Sequence, residues 1–80
     1  MTIGQAVAYR IKELCTARGI TLNMLGTISG ITQSTLNNII CGKSRSPTVS
    51  TIKKICDGLE ISVLDFFNAE SFRHLEQEIR

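Results

Sequence analysis

Residues 21–42 read TLNMLGTISGITQSTLNNIICG, and this stretch decides the fold because it encodes two short helices joined by a tight turn. Thr21 and Thr32 each suit the start of a helix, since a threonine hydroxyl accepts a bond from an otherwise unpaired backbone N–H. Gly30 lies between the two helices, where a sharp turn needs a residue that adopts positive φ at little cost. The pattern therefore predicts two capped helices, the second of which ends at Gly42.

Apolar residues at helical spacing indicate which side of each helix is buried. Ile31 is apolar within the turn itself, so we expect it to fill the gap between the two helices. The predicted buried positions are Leu22, Leu25 and Ile28 in the first helix, and Leu36, Ile39 and Ile40 in the second.

The opposite side of the second helix is polar and carries no charge. An ordinary solvent-facing helix surface carries Lys and Glu in alternation, whereas this one offers amide and hydroxyl groups. Such groups pair with base edges in the DNA major groove, and Gln or Asn can bind adenine through two hydrogen bonds. The sequence therefore predicts base contacts from this face, by Gln33, Ser34, Asn37 and Asn38.

Charge is unevenly distributed along the chain, although the net charge is only +2. From Leu14 to Cys56 there is no Asp or Glu, and the five charged residues there are basic: Arg18, Lys43, Arg45, Lys53 and Lys54. From Asp57 onward acids predominate. A cationic half suits a polyanionic partner, although a chance distribution of charge stays an alternative.

The flanking sequence predicts three further helices. The first begins at Ile3 behind a Thr2–Gln5 capping box and ends at Gly19. The fourth runs from Thr48 to about Gly58, with Val49, Ile52, Ile55, Cys56 and Leu59 on its apolar side. The fifth begins at Ser62, and its apolar residues are Val63, Leu64, Phe66 and Phe67.

Residues 68–80 predict one more short helix, capped by Asn68 and with Phe72, Leu75 and Ile79 on one side. A helix of this length is marginal in isolation. It must dock either on its own domain or on a second copy of the chain, and the sequence leaves both open.

Together these residues resemble the Cro/phage-repressor helix-turn-helix family. The resemblance covers roughly residues 7–67, and its segments are GIT at 19–21, LG at 25–26, SGITQST at 29–35, Leu36, Ile39, GK at 42–43, Pro47 and IxxICDGLxIS at 52–62. It implies an all-α fold: a compact five-helix lambda-repressor-like domain over residues 1–67, with residues 68–80 as a short helical extension.

The resemblance also implies a function, which is sequence-specific binding of double-stranded DNA by a small homodimeric transcriptional regulator. The recognition helix, residues 32–41, would enter the major groove. In the family the loop that follows lies along the DNA backbone, and helix N-termini attract anions. The phosphate contacts expected here are Thr21, Asn23, Thr32, Thr35, Lys43, Ser44 and Arg45.

One position departs from the family, which usually has a phosphate-binding Gln at the first residue of the second helix. This chain has Leu22 there. Either Asn23 takes over that contact or the contact is missing. The departure leaves open a second function, a protein-binding module on the same fold, antitoxin-like or anti-repressor-like, acting through the C-terminal segment.

Other classes of function lack their signatures. The chain shows no paired carboxylates, no nucleophile with a His partner and no Gly-rich phosphate loop, which argues against an enzyme or a cofactor. Three cysteines without C-x-x-C spacing argue against a disulfide framework or a metal site. With no signal peptide in view, we expect a cytoplasmic protein without membrane attachment.

Overall fold

A computed structural model describes residues 1–41 and 47–79 of the chain. Within these residues the secondary structure is helical and contains no strand. The five α-helices are α1 (Ile3–Arg18), α2 (Leu22–Ser29), α3 (Gln33–Ile40), α4 (Val49–Leu59) and α5 (Val63–Phe67). The predicted all-α, five-helix architecture is confirmed.

Side-chain caps begin every α-helix, as the sequence predicts. Each capping hydroxyl accepts a bond from the backbone N–H three residues later, which satisfies a donor that the helix leaves unpaired. At α1 the Gln5 side chain also accepts from the Thr2 N–H, which completes the capping box. Gly19 and Gly30 end α1 and α2 with φ of 65° and 68°. The five capping residues are Thr2, Thr21, Thr32, Thr48 and Ser62.

One apolar core joins all five helices. α1 packs on α2 and α3, and α2 packs on α3 and α4, while α5 follows α4 against the same core. Ile31 is half-buried against this core from the turn between α2 and α3, as predicted. The fully buried side chains of the core include Val7, Ile11, Leu25, Leu36, Ile55, Leu59 and Phe66.

Two apolar residues predicted to be buried lie at the surface. Ile28 is 49% exposed in α2 and Val49 is 77% exposed at the start of α4. α2 instead buries Leu25 together with Gly26 and Ser29. The small residues turn inward because neighbouring segments pack closely against them, and this displaces the predicted stripe around the helix.

The close packing of α2 on α4 is visible at Ser29 and Gly58. A Cβ built on Gly58 would lie 2.5 Å from Ser29 Oγ and 3.0 Å from the Ile28 carbonyl oxygen. The fourth helix ends where it is predicted to end within one residue, since α4 continues to Leu59 and Glu60 provides the left-handed cap. Gly58 is therefore needed for the close approach of the two helices.

We expect Ser29→Ala to raise the free energy of unfolding by about 1 kcal/mol. The Ser29 hydroxyl is buried and has no hydrogen-bond partner within the described residues. Gly58→Ala should lower the same free energy by about 1–3 kcal/mol through overpacking. The loss should be smaller when combined with Ser29→Ala, because the nearest obstructing atom is then absent. Urea unfolding of wild type, Ser29→Ala, Gly58→Ala and the double variant measures these free energies. Strictly additive changes would show that the two positions do not interact.

The short extra helix is confirmed only as a single 3-10 turn, Glu70–Phe72. The longer helix predicted for this segment is wrong, since residues 73–79 have no regular secondary structure. Phe72 packs against the core, whereas Leu75 and Ile79 are exposed. The predicted apolar stripe therefore has no common surface to bury, and a helix this short does not persist without one.

The C-terminal segment contacts its own domain. The Phe72 ring lies 4.9 Å from the Phe67 ring and 6.1 Å from the Phe66 ring, measured between centroids. Farther along, the Glu76 backbone N–H donates to the Met1 carbonyl oxygen at 2.9 Å. The structure thus shows Phe72 and Glu76 in contact with their own domain, and docking of this segment on a second copy stays a prediction. The division of the chain at residue 67 stays a prediction.

Candidate nucleic-acid interface

The polar side of α3 is presented to solvent. Leu36 and Ile39 are buried on the inner side of the helix, which fixes its rotation about its own axis. All four predicted base readers are exposed on the outer side: Gln33, Ser34, Asn37 and Asn38. The structure thus brings these residues together on one surface, and the C-terminal segment does not bury them.

The turn before α3 determines how the helix projects. Gly30 takes the left-handed conformation, and the Ile31 N–H donates to the Gly26 carbonyl oxygen at 3.0 Å. Thr32 then caps α3 through its hydroxyl, which accepts from the Thr35 N–H at 3.2 Å. Since Ile31 is also held in the core, the first turn of α3 is anchored on both sides.

Gln33 differs from its neighbours because its side chain is already hydrogen-bonded. The Gln33 Nε2 atom lies 3.5 Å from the Leu22 carbonyl oxygen and 3.4 Å from the Asn23 carbonyl oxygen. Both acceptors belong to the first turn of α2. A nitrogen donating to carbonyl oxygens also settles which end of the amide is which, so the Gln33 Oε1 atom stays available as an acceptor.

The four predicted phosphate contacts in the described residues lie around the starts of α2 and α3, and all are exposed. Thr21 Oγ1 accepts from the Met24 N–H at 3.1 Å, which leaves its own O–H free to donate to a phosphate. Thr32 donates its O–H to Thr35 Oγ1 at 2.9 Å. Thr35 therefore retains a donor, whereas the Thr32 hydroxyl is fully engaged within the protein. The fourth contact is Asn23, whose side chain lies at the surface.

The remaining three predicted phosphate contacts, Lys43, Ser44 and Arg45, lie outside the described residues. Beyond them, α4 carries Lys53 and Lys54, both exposed. Lys53 forms an ion pair with Asp57 one turn later. The hydrogen bond to Asp57, followed by the coulombic attraction, raises the pKa of Lys53 above its usual value. Its charge is thus partly matched inside the protein.

The cysteines do not form a reactive centre in this structure. All three are free thiols; Cys15 and Cys56 are buried and Cys41 is exposed after α3. Burial raises the pKa of the Cys15 and Cys56 thiols, which favours the unreactive protonated form. Across residues 1–41 and 47–79, no cluster of three or more His, Cys, Asp or Glu side chains is placed to hold a metal ion.

The helices that the structure describes include none with the length and apolar character needed to cross a membrane.

Sequence reasoning missed the role of Gly26 in this surface. A Cβ built on Gly26 would lie 2.6 Å from Gln33 Nε2, which means that the missing side chain provides the space for the Gln33 amide. The pattern LG at 25–26 was available in the sequence. It gives no indication of a contact with a residue seven positions later, since that contact depends on the path of the turn.

Comparison with known proteins finds that the chain is similar to helix-turn-helix proteins. The helix-turn-helix family HTH_3 matches residues 11–66. In Bacillus subtilis (strain 168), the uncharacterized HTH-type transcriptional regulator RghRB is 38% identical over 52 residues, which is 65% of this chain. The HTH-type transcriptional regulator SlrR of the same organism is 32% identical over 57 residues, or 71% of this chain. The chain corresponds to only 37% and 38% of the length of these two relatives.

Solved structures extend the similarity over nearly the whole chain. The crystal structure of prophage Lp1 protein 11 has a TM-score of 0.83 and 39% identity, covering 94% of this chain and 99% of that one. An HTH_3 family transcriptional regulator from Vibrio cholerae has a TM-score of 0.77 and 33% identity, covering 86% of this chain and 38% of its own. The restriction-modification controller protein C.Esp1396I shares the fold. Its TM-score is 0.77 at 23% identity, and the match covers 91% of this chain and 90% of that one.

Proposed function

This chain belongs to the helix-turn-helix family HTH_3, and on that premise we propose that it binds double-stranded DNA sequence-specifically as a small transcriptional regulator. The observation that carries the proposal is the exposed side of α3. It combines amide and hydroxyl groups with no charged side chain, on a helix whose rotation is fixed by buried Leu36 and Ile39. Such a surface suits hydrogen bonding to base edges.

In the proposed complex α3 lies in the major groove, with its N-terminal residues nearest the bases. Gln33 is the main base reader, and Ser34, Asn37 and Asn38 supply the other contacts. The start of α2 faces a phosphate, because the unpaired N–H groups of a helix N-terminus attract anions. Thr21 supports this role, since it retains a hydroxyl donor after capping α2. Thr35, in the first turn of α3, likewise retains a hydroxyl donor.

The remaining phosphate contacts come from Asn23 and the loop residues Lys43, Ser44 and Arg45, whereas the Thr32 hydroxyl already donates to Thr35 Oγ1. The loop contributes positive charge on a stretch, Leu14 to Cys56, that contains no acid. Contacts of this kind supply affinity that is independent of sequence. The protein acts by binding rather than by catalysis, and three free thiols suit a reducing cytoplasm.

Selection of bound oligonucleotides from a random pool, followed by a salt titration on the selected site, tests this function. We expect one enriched sequence. We expect its affinity to fall with salt on a log–log plot with a slope of about −0.9 for each phosphate contact. If no member of the pool is retained at low salt, the surface does not bind DNA and the proposal is wrong.

We further propose that the regulator is a homodimer, since two-fold dimers place paired recognition helices about 34 Å apart on successive turns of DNA. Sedimentation at micromolar concentration, with and without the selected site, should show a dimer. The enriched site should also be palindromic. A monomer under both conditions would remove the dimer from the proposal.

A further inference from the structure

We propose that Arg18 binds a phosphate of the DNA backbone beside the contact of Thr21, and so supplies an ionic contact that α2 and α3 themselves lack. The inference rests on the proposed DNA-binding function and deepens it, since it assigns a phosphate to a residue outside both of those helices. Arg18 lies in the last turn of α1, and its side chain is exposed.

The segment that forms α2 and α3 carries no charge. Between Arg18 and Lys43 no residue is Asp, Glu, Lys or Arg. Leu22, at the start of α2, is apolar and packs against the core. The two helices therefore offer a phosphate only neutral hydrogen-bond donors, which bind it more weakly than a charged donor does. Arg18 is the charged residue nearest to Thr21 in the sequence.

The end of α1 does not depend on the Arg18 side chain for its hydrogen bonds. The Gly19 N–H donates to the Thr16 carbonyl oxygen at 3.2 Å, and the Ile20 N–H donates to the Cys15 carbonyl oxygen at 3.0 Å. This is the Schellman arrangement, in which backbone donors satisfy carbonyls that a helix end leaves unpaired. The Arg18 guanidinium is thus not required as a cap.

Several basic side chains of the described residues are neutralised within the protein, and Arg18 is not among them. Arg10, two turns earlier in α1, uses Nε and Nη2 on carbonyls of α5 and Nη1 on Glu13. Because Glu13 is the acid nearest to Arg18 in the sequence, its pairing with Arg10 leaves the Arg18 charge unmatched. The other ion pairs of Lys or Arg side chains in this part of the chain are Lys53–Asp57 and Arg73–Glu70.

The turn after α1 keeps Arg18 close to Thr21. Gly19 takes a φ of 65°, and Ile20 anchors the turn by packing against the core. Three residue steps separate Arg18 from Thr21, so their Cα atoms are at most about 11 Å apart. Phosphates recur about every 3.4 Å along the axis of each DNA strand. Arg18 therefore meets the phosphate held by Thr21 or a neighbouring one, and its planar guanidinium suits a phosphate through two parallel hydrogen bonds.

Salt titrations of Arg18→Gln and Lys12→Gln, on the selected site and on a scrambled duplex, test this contact. We expect Arg18→Gln to bind both duplexes several-fold more weakly than wild type, with a log–log slope that is smaller by about 0.9. A fourfold rise in salt should therefore weaken wild type by about 3.5-fold more than it weakens Arg18→Gln. Arg18→Lys should keep the wild-type slope, because lysine retains the charge.

Lys12→Gln is the matched control, since it removes one exposed positive charge from the same helix. Lys12 lies about 9 Å along the helix from Arg18 and about 120° around it. Its loss should leave the slope of wild type unchanged.

The outcomes distinguish this inference from the function on which it rests. If wild type binds no DNA, the proposed function fails. If wild type binds and the slopes of Arg18→Gln and Lys12→Gln are equal, Arg18 holds no phosphate and the inference is wrong. It is also wrong if Arg18→Gln weakens the specific duplex alone and keeps the wild-type slope, because a phosphate contact acts on every sequence.

Circular dichroism shows whether each variant is folded, and glutamine is a good helix former. Should Arg18→Gln fail to fold, NMR of the wild type decides. The Nε–H signal of Arg18 should shift when DNA is added. The Nε–H signal of Arg10 should not, since that group already donates to the Phe66 carbonyl oxygen. An Arg18 signal that does not move on binding would overturn the inference.

Discussion

Phe66→Ala should lower the free energy of unfolding by about 3–5 kcal/mol, the range for removal of a buried aromatic ring. The Phe66 side chain is fully buried in the core, and its ring lies 5.1 Å from the Phe67 ring in an edge-to-face arrangement. A domain of this size is marginally stable, with about 5–15 kcal/mol in total. The variant should therefore be largely unfolded at temperatures that wild type tolerates. Urea unfolding followed by circular dichroism measures the effect.

Phe67→Ala is the matched control, because it removes the same ring from the same helix. Phe67 is 37% exposed, so its loss should be clearly smaller. Equal losses at the two positions would contradict the burial described for α5.

The backbone near Phe66 makes the position more sensitive still. The Arg10 side chain donates from Nε to the Phe66 carbonyl oxygen and from Nη2 to the Asp65 carbonyl oxygen, both at 2.8 Å. The first of these charge-assisted bonds pairs the Phe66 carbonyl at the end of α5, and the second adds to the bond that Asp65 O accepts from the Asn68 N–H at 3.3 Å. They join α5 to α1 beside the Phe66 side chain. In Phe66→Ala the helices around the cavity are therefore restricted in closing it. This favours a loss of unfolding free energy in the upper part of the expected range.

Much of this fold can be predicted from the sequence because its signals are local. A threonine at the start of a helix pairs the N–H three residues later within the same turn, and Thr21 and Thr32 do so. Gly30 adopts positive φ for an equally local reason. The exposure of Asn37 follows from buried Leu36 and the helical period alone.

The wrong predictions concern features that depend on contacts between residues far apart in the sequence. Ile28 fits an apolar stripe, but close approach of α4 at Gly58 turns the small side of α2 inward. The C-terminal residues have helical spacing, yet only Phe72 finds a surface on which to pack. The contact between Gly26 and Gln33 depends on the path of the whole turn, so no sequence periodicity predicts it. Sequence patterns indicate which residues compose the surface, and tertiary packing determines how each is held.

The double substitution Gln33→Ala/Asn37→Ala should have the largest effect on binding. Two amide-to-base pairs at about 1–3 kcal/mol each amount to a loss of roughly 30-fold or more for the selected site. Both side chains are exposed, and alanine is a strong helix former, so we expect the fold to persist. Affinity for unrelated DNA should change little, because that affinity comes from phosphate contacts. Fluorescence anisotropy on specific and scrambled duplexes measures both quantities.

The matched control is Asn68→Ala/Gln77→Ala, which removes the same two side-chain types from exposed positions outside α3. It should leave both affinities unchanged. A loss in the Gln33→Ala/Asn37→Ala protein that is equal for specific and scrambled duplexes would mean that α3 contributes general affinity and does not read sequence. Retention of full specificity would place the base contacts elsewhere on the protein. The exposed amides of α3 distinguish one base from another only if Gln33→Ala/Asn37→Ala weakens the specific complex alone, because phosphate contacts carry no sequence information.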